Sequence, residues 1–237
     1  VDAAVHFLKK HDRINTKKIG LAGHSEGGMI APMVASKNKN VAFIVLLAGP
    51  GVPGNELLLK QSHDIMKQKG FTAAELALAE KTSRKIYAAI IKDTKDELGV
   101  GDLVKLVNED AEKLDEATRK TLGFDEVALR QSITILKTPW MRYFISYKPI
   151  ETLRKVKCPV LAINGEKDLQ VATKPNLEGI EAALKLAKNK NVKIVSLPNL
   201  NHLFQTAETG AMDEYIKIEE TFSPEAMKLV LDWMKAQ

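Results

Sequence analysis

Cysteine is all but absent from this chain. Cys158 stands alone in 237 residues, which rules out an intrachain disulfide. No Cys-x-x-Cys spacing exists to hold a metal, and no metal site is expected. Set in Val156-Lys157-Cys158-Pro159-Val160, at the edge of an apolar run, Cys158 reads as a small buried hydrophobe. No apolar run approaches the length of a membrane span. A one-signed charge pattern is also missing. The net charge is +5, and lysines interleave with acids, as in Glu109-Asp110-Ala111-Glu112-Lys113, so no basic stripe points to nucleic acid. There is no internal repeat, and Asn38-Lys39-Asn40 and the stretch Lys188 to Asn191 read as polar turns. What remains is 45% hydrophobic and 27% charged, an ordinary globular balance at a length sufficient for one core, or one core plus a lid.

The first residue is Val1, not Met, and the stretch through Lys10 is already amphipathic at helical spacing. No charged n-region, apolar h-region or small-residue cleavage site is visible. The numbering is therefore expected to begin inside a longer polypeptide, with any signal sequence upstream. The compartment is left open.

Four continuous apolar runs predict buried parallel strands: Lys18 to Ala22, Val41 to Ala48, Val160 to Asn164, and Val192 to Leu197. Helical stretches accompany them at residues 1–11, 26–37, 173–188 and 224–236, the last opened by Ser223 and Pro224. Strand alternating with helix implies a doubly wound, mostly parallel α/β layer. Between the second and third strands the pattern is helical for about a hundred residues. Thr72-Ala73-Ala74-Glu75 forms a capping box, and helical patterns continue over Glu109 to Leu122 and Asp125 to Leu136. Gly99-Val100-Gly101 and Leu122-Gly123-Phe124 are expected to break them. Residues 51–150 thus read as a helical cap between two core segments, 1–50 and 151–237.

The most specific stretch is Gly20 to Ile30, a strand followed by Gly23-His24-Ser25-Glu26-Gly27 and an immediate helix. Gly-x-Ser-x-Gly in that context is a nucleophile elbow: the serine occupies a strained turn and projects above the strand ends, and its flanking glycines permit a close strand-to-helix crossing. Ser25 is the expected nucleophile. The backbone N–H of Glu26, at the helix N-terminus, is one expected oxyanion-hole donor. The Glu26 side chain is expected to be buried beside the elbow and bonded to the insertion. The acid should follow a later strand, and Asn164-Gly165-Glu166-Lys167-Asp168 supplies Asp168, with Glu166 as competitor. The base should follow the last strand, where Asn201-His202-Leu203-Phe204 supplies His202. His6 and His11 fall on the first helix, His63 falls in the insertion, and His24 is read as shaping the pocket floor beside the nucleophile. In these roles His202 takes the serine proton, and Asp168 fixes the imidazole tautomer.

These residues carry a resemblance. The chain is similar to bacterial α/β-hydrolase-fold serine esterases, most of all to the carboxylesterase group with a Gly-His-Ser-Glu-Gly-Gly elbow. The similarity extends through Leu46-Leu47-Ala48-Gly49-Pro50-Gly51, Thr138 to Phe144, Cys158 to Val171, Asn201 to Gln205 and Gly210 to Glu220. It implies an α/β-hydrolase fold and hydrolysis of short acyl esters without a cofactor. It also implies about four further strands before the elbow, the third of which is followed by the loop that gives the second oxyanion amide. No residue here matches that loop, so a missing N-terminal segment of the same polypeptide is the expected partner, beside a small-molecule ester. Trp140, Tyr143 and Phe144 are candidates for the substrate-pocket wall, with lid packing as the alternative. Arg142 reads as a surface arginine, or as a contact for a polar substrate group. A serine peptidase, an acyltransferase and a non-catalytic module with a decayed triad are the competing readings. The long insertion counts against the peptidase, and the three filled triad positions count against decay.

Overall fold

Val160-Leu161-Ala162-Ile163 are four consecutive side chains with no exposure, as a strand covered on both faces requires. They lie in a four-stranded parallel sheet in a computed structural model of the chain, which describes residues 1–111 and 114–237. In chain order the elements are α1 (Asp2–Leu8), β1 (Leu21–His24), α2 (Glu26–Ala35), β2 (Ile44–Leu47), α3 (Gly54–Gln68), α4 (Ala73–Lys92), α5 (Val100–Ala111), α6 (Glu116–Thr121), α7 (Glu126–Leu136), α8 (Pro139–Ser146), α9 (Pro149–Leu153), β3 (Val160–Gly165), α10 (Thr173–Leu186), β4 (Val192–Leu197), a 3-10 helix (Met212–Lys217) and α11 (Pro224–Lys235). The strand order is β1-β2-β3-β4, with Leu21 opposite Ile44, Ile44 opposite Val160, and Val160 opposite Val192.

The chain divides into two units. Residues 1–52 and 148–237 form the first, and residues 53–147 form the second. In the first unit α2, α9 and α10 pack with the sheet around Ile44, Leu46, Leu153, Val160, Ala162, Ile180 and Leu184. The second unit is helical, with a separate core of Leu59, Ile86, Ile90, Leu103, Val107, Leu129, Ile133 and Ile145. Its α4 starts at the expected capping box: Thr72 Oγ1 accepts from Glu75 N at 3.3 Å, and Thr72 N donates to Glu75 Oε2 at 2.7 Å.

Two local expectations need correction. The first strand begins at Leu21 rather than Lys18, although Ala42 N already donates to Ile19 O at 2.8 Å. The break expected at Gly99-Val100-Gly101 lies mostly earlier, over residues 93–99: the Asp93 carboxylate accepts from Glu97 N and Leu98 N past the end of α4, and α5 starts at Val100 with Gly101 in its first turn. The helical pattern over Glu109 to Leu122 includes Glu112 and Lys113, which lie outside the described residues. Gly123, at φ +68°, ends α6 as a left-handed residue and bears out the break expected there.

Candidate active site

Because the strands are parallel, their C-terminal ends share one edge of the sheet, and the expected triad residues all follow such ends. Ser25 follows β1, Asp168 lies three residues after β3, and His202 lies five after β4. All three belong to the first unit.

Ser25 has φ 53° and ψ −112°, a conformation that L side chains rarely adopt. Its backbone N–H is fixed to Leu47 O at 2.8 Å, so the turn is anchored to β2. Ser25 is also the N-cap residue of α2, yet its side chain caps nothing. Ser223 at the start of α11 behaves ordinarily and accepts from Ala226 N. The Ser25 hydroxyl thus makes no capping bond to the helix it precedes. Among the described residues no hydrogen bond joins that hydroxyl to His202. Triad contacts of this kind are often long in the absence of substrate.

The steric account of the elbow changes in one respect. A side chain on Gly27 would meet nothing within 4 Å, so Gly27 is not glycine for lack of room. Gly23 provides the close crossing. Glu26, the first residue of α2, directs an exposed side chain to solvent, which corrects its expected burial; a side chain on the first turn of a helix whose other face packs on the sheet points outward. Its backbone N–H remains at the helix start beside Ser25.

The acid and base meet directly. His202 Nδ1 donates to Asp168 Oδ2 at 2.8 Å, and both residues are 4% exposed. Asp168 Oδ1 accepts from Gln170 N and Val171 N, each at 2.8 Å, so both carboxylate oxygens are occupied in a fixed orientation. That arrangement leaves His202 Nε2 as the imidazole nitrogen free to take a proton. Glu166 is exposed and accepts from Ser196 Oγ at 2.7 Å, away from the histidine.

Several residues that build the site have no sequence signature. Asn164 donates to Val171 O at 2.7 Å and closes the acid loop. Asn201 is fully buried, and its Oδ1 accepts from Leu203 N and Gln205 N, shaping the histidine turn. Gln170 donates to the Tyr215 hydroxyl at 3.2 Å, and burial pushes that phenol's pKa up. His24 Nε2 lies 2.8 Å from the His202 carbonyl oxygen, and the two rings are 4.7 Å apart. His24 is exposed overall, and the partial loss of water where its ring meets the histidine turn lowers its pKa below the usual histidine value, partly opposed by its bond to the carbonyl.

Trp140, Tyr143 and Phe144 belong to the second unit, on α8. Trp140 and Tyr143 stack at 6.0 Å and are 41% and 49% exposed, an aromatic face open to solvent within that unit. Arg142 is not a surface arginine: its side chain is 15% exposed and pairs with Asp93 and with Asp96 at 3.0 Å. Among the described residues there is no cluster of side chains suited to a metal ion, and no helix long and apolar enough to cross a membrane.

Two family models match. Residues 1–118 match the C-terminal domain of the BAAT / acyl-CoA thioester hydrolases, and residues 144–237 match the dienelactone hydrolase family. Esterase EstD of Thermotoga maritima is 26% identical over 219 residues, which is 90% of this chain and 42% of EstD. The chain thus spans less than half the length of that relative. Among solved structures, the Pyrococcus furiosus esterase Pf2001 is similar at 15% identity and a TM-score of 0.49, over 99% of this chain and 59% of that one. The α/β hydrolase MGS-M2 from a deep-sea metagenome is similar at 16% identity and a TM-score of 0.47, over 100% of this chain and 70% of its own. The parallel sheet with its surrounding helices is an α/β fold, and the two hydrolase family models matched, over residues 1–118 and 144–237, each take in part of the helical unit as well as part of the sheet unit.

Proposed function

We propose that this chain carries the triad of a serine hydrolase that cleaves short-chain carboxylic esters through an acyl-Ser25 intermediate. The observation that carries this reading is the buried 2.8 Å contact between His202 Nδ1 and Asp168 Oδ2, at the strand-end edge where the uncapped Ser25 also sits. Ser25 Oγ attacks the ester carbonyl as His202 Nε2 takes its proton. Asp168 holds the other ring nitrogen protonated and stabilises the imidazolium. His202 then returns the proton to the departing alkoxide. In the second half-reaction water, deprotonated by the same nitrogen, attacks the acyl carbonyl and releases Ser25. The Glu26 N–H stabilises the oxyanion in both halves, helped by the N-terminal end of α2.

One oxyanion amide is not enough for full turnover, since loss of a donor costs about 10²–10³ in rate. We assign the second to a segment of the parent polypeptide that precedes residue 1. Among the described residues the outer edge of β1 has no strand beside it, so its backbone groups on that side are open to a further parallel strand. An active sample with an intact mass of 26.2 kDa and no second fragment would refute this assignment.

The match of residues 1–118 to a family named for acyl-CoA thioester hydrolases favours a second reading, in which the acyl group reaches Ser25 from a thioester. A fluorophosphonate probe, a Ser25→Ala variant, and a panel of p-nitrophenyl esters from acetate to octanoate run beside an acyl-CoA test the two together. Labelling that depends on Ser25, with cleavage of the shorter esters, is the expected result. If only the thioester is consumed, the second reading replaces the first. If neither this chain nor the full-length protein labels or turns over any of these substrates, the hydrolase reading falls.

A further inference from the structure

His24 precedes the proposed nucleophile by one residue, and its ring reaches across 178 residues of sequence to the backbone of the proposed base. Its Nε2 lies 2.8 Å from the carbonyl oxygen of His202. A carbonyl only accepts, so this nitrogen must carry the proton and donate, and the neutral ring is therefore the Nε2–H tautomer. The His24 and His202 rings are 4.7 Å apart and tilted by 46°. On another side His24 meets the edge of Phe204 at 6.2 Å, and Phe204 is fully buried and stacked on Phe222 at 5.2 Å. The imidazole is thus held on the histidine turn by one directional bond and two ring contacts.

The histidine turn needs such support. Asn199 and Phe204 both adopt positive φ, 62° and 60°, so the backbone around His202 is strained on both sides. Its other hydrogen bonds come from within, through Asn201, from the segment at residues 220–223, where Gln205 Nε2 donates to Glu220 O and Ser223 N donates to Phe204 O, and from the acid loop, where Lys167 N donates to Leu200 O at 2.9 Å and Asp168 accepts from His202 Nδ1. None of these sets the distance from His202 to Ser25. Among the described residues, His24 is the one elbow side chain hydrogen-bonded to this turn. Its own backbone is fixed in β1, in register with Leu47 of β2.

We propose that His24 is a positioning residue, a neutral hydrogen-bond tether that sets the His202 backbone relative to the Ser25 elbow and so fixes the nucleophile-to-base geometry. This inference rests on the serine-hydrolase reading above, and differs from a role in forming the pocket floor. A donor is needed here, but not a positive charge. His202 becomes cationic each time it takes the Ser25 proton, and a second cation 4.7 Å away would oppose that step. The lowered His24 pKa is in keeping with a ring that stays neutral at working pH.

The test uses two substitutions. His24→Phe keeps a flat ring against His202 and Phe204 but removes the donor. His24→Gln restores an N–H at nearly the same reach without a charge. With p-nitrophenyl acetate and active sites counted by titration, kcat for His24→Phe is expected to fall by about 10- to 100-fold, because small misplacements of a reacting group cost that much. KM should change by less than about twofold, and the rate of fluorophosphonate labelling should fall with kcat. His24→Gln should recover most of the loss. A wild-type kcat per titrated site in His24→Phe would overturn the proposal, as would a His24→Gln variant no better than His24→Phe. Proton NMR gives a readout independent of turnover. The downfield resonance of the His202 Nδ1–H bonded to Asp168 should persist in wild type and in His24→Gln, and broaden by exchange in His24→Phe. An unchanged resonance in His24→Phe overturns the tether even if the protein proves to be no hydrolase, whereas absent Ser25 labelling in wild type overturns only the hydrolase reading.

Discussion

A methyl group on Gly23 would lie 2.0 Å from the carbonyl oxygen of Gly27, whereas one on Gly27 would touch nothing. The two glycines of the elbow are therefore not equivalent. In Gly23→Ala the clash is with backbone, which cannot rotate away, and relief requires moving α2 off β1. Folding should be lost or weakened by several kcal/mol, as for other overpacked core positions. Gly27→Ala sits in the first turn of α2 in open space and should match wild type within about 1 kcal/mol, with any change in the stabilising direction. Urea unfolding followed by circular dichroism separates the two. A Gly27→Ala protein as unstable as Gly23→Ala would contradict this account of the elbow.

The two carboxylates after β3 should separate as sharply. Asp168→Asn keeps the side-chain volume and one oxygen for Gln170 N and Val171 N. Its amide, however, can donate to His202 Nδ1 and favours the wrong tautomer. By analogy with other triads, kcat should fall on the order of 10⁴-fold while the unfolding midpoint changes little. Glu166→Gln removes only a bond to Ser196 on the surface and should leave kcat within about twofold. Ester assays on both variants check this, and the reverse ranking would move the acid to Glu166.

Much of this layout is legible in sequence because it is local. A buried parallel strand announces itself as an unbroken apolar run, and a helix start announces itself by Thr72 and Glu75 or by Ser223 and Pro224. The illegible parts depend on residues far apart in the chain. Nothing near residue 24 signals a partner at residue 202. The sequence alone leaves Asp168 and Glu166 in competition, and the side chain that reaches His202 is set by a loop that Asn164 closes from beneath. The Gly-x-Ser-x-Gly pattern does not reveal that room is lacking at Gly23 but not at Gly27. Nor does it reveal that Ser25 declines its capping role, because that depends on a φ of 53° held by Leu47. The glycines at 99 and 101 mark a break in sequence, but the residue that ends α4 is Asp93, whose carboxylate accepts from Glu97 N and Leu98 N, and α5 starts at Val100 between the two glycines.

Cys158 is partly and not fully buried, which corrects its reading as a buried residue, yet it should be inert in the folded protein. Burial pushes its thiol up to about 11, so the reactive thiolate is scarce at neutral pH. Iodoacetamide at pH 8 is expected to leave native protein unmodified and to label it fully in denaturant, as read by intact mass. The folded pKa exceeds the ordinary value, so folding favours the protonated thiol. Its contribution is present below about pH 8.5 and is lost as pH rises toward 11. Fast alkylation of native protein at pH 8 would show the thiol to be more accessible than its surroundings imply.

The second unit carries a different pH dependence. Asp110 on α5 is only 7% exposed and bonds to Lys81, at 2.8 Å, and to Lys85, both on α4. Hydrogen bonds from these two ammonium groups pull its carboxyl down to about 2. An unfolded aspartate titrates near 4. The folded pKa is the lower one, so the unfolded chain binds more protons between these values and stability is lost as pH falls. The contribution of Asp110 should be complete above about pH 5 and gone near pH 2. Other carboxylates titrate in the same window, so the informative quantity is a difference. Asp110→Asn removes the carboxylate and leaves two lysines facing a neutral amide. Its thermal midpoint should lie below that of wild type at pH 7, and the gap should close as pH is lowered from 5 to 2. A gap that stays constant over that range would mean that Asp110 acts through packing between α4 and α5 and not through its charge.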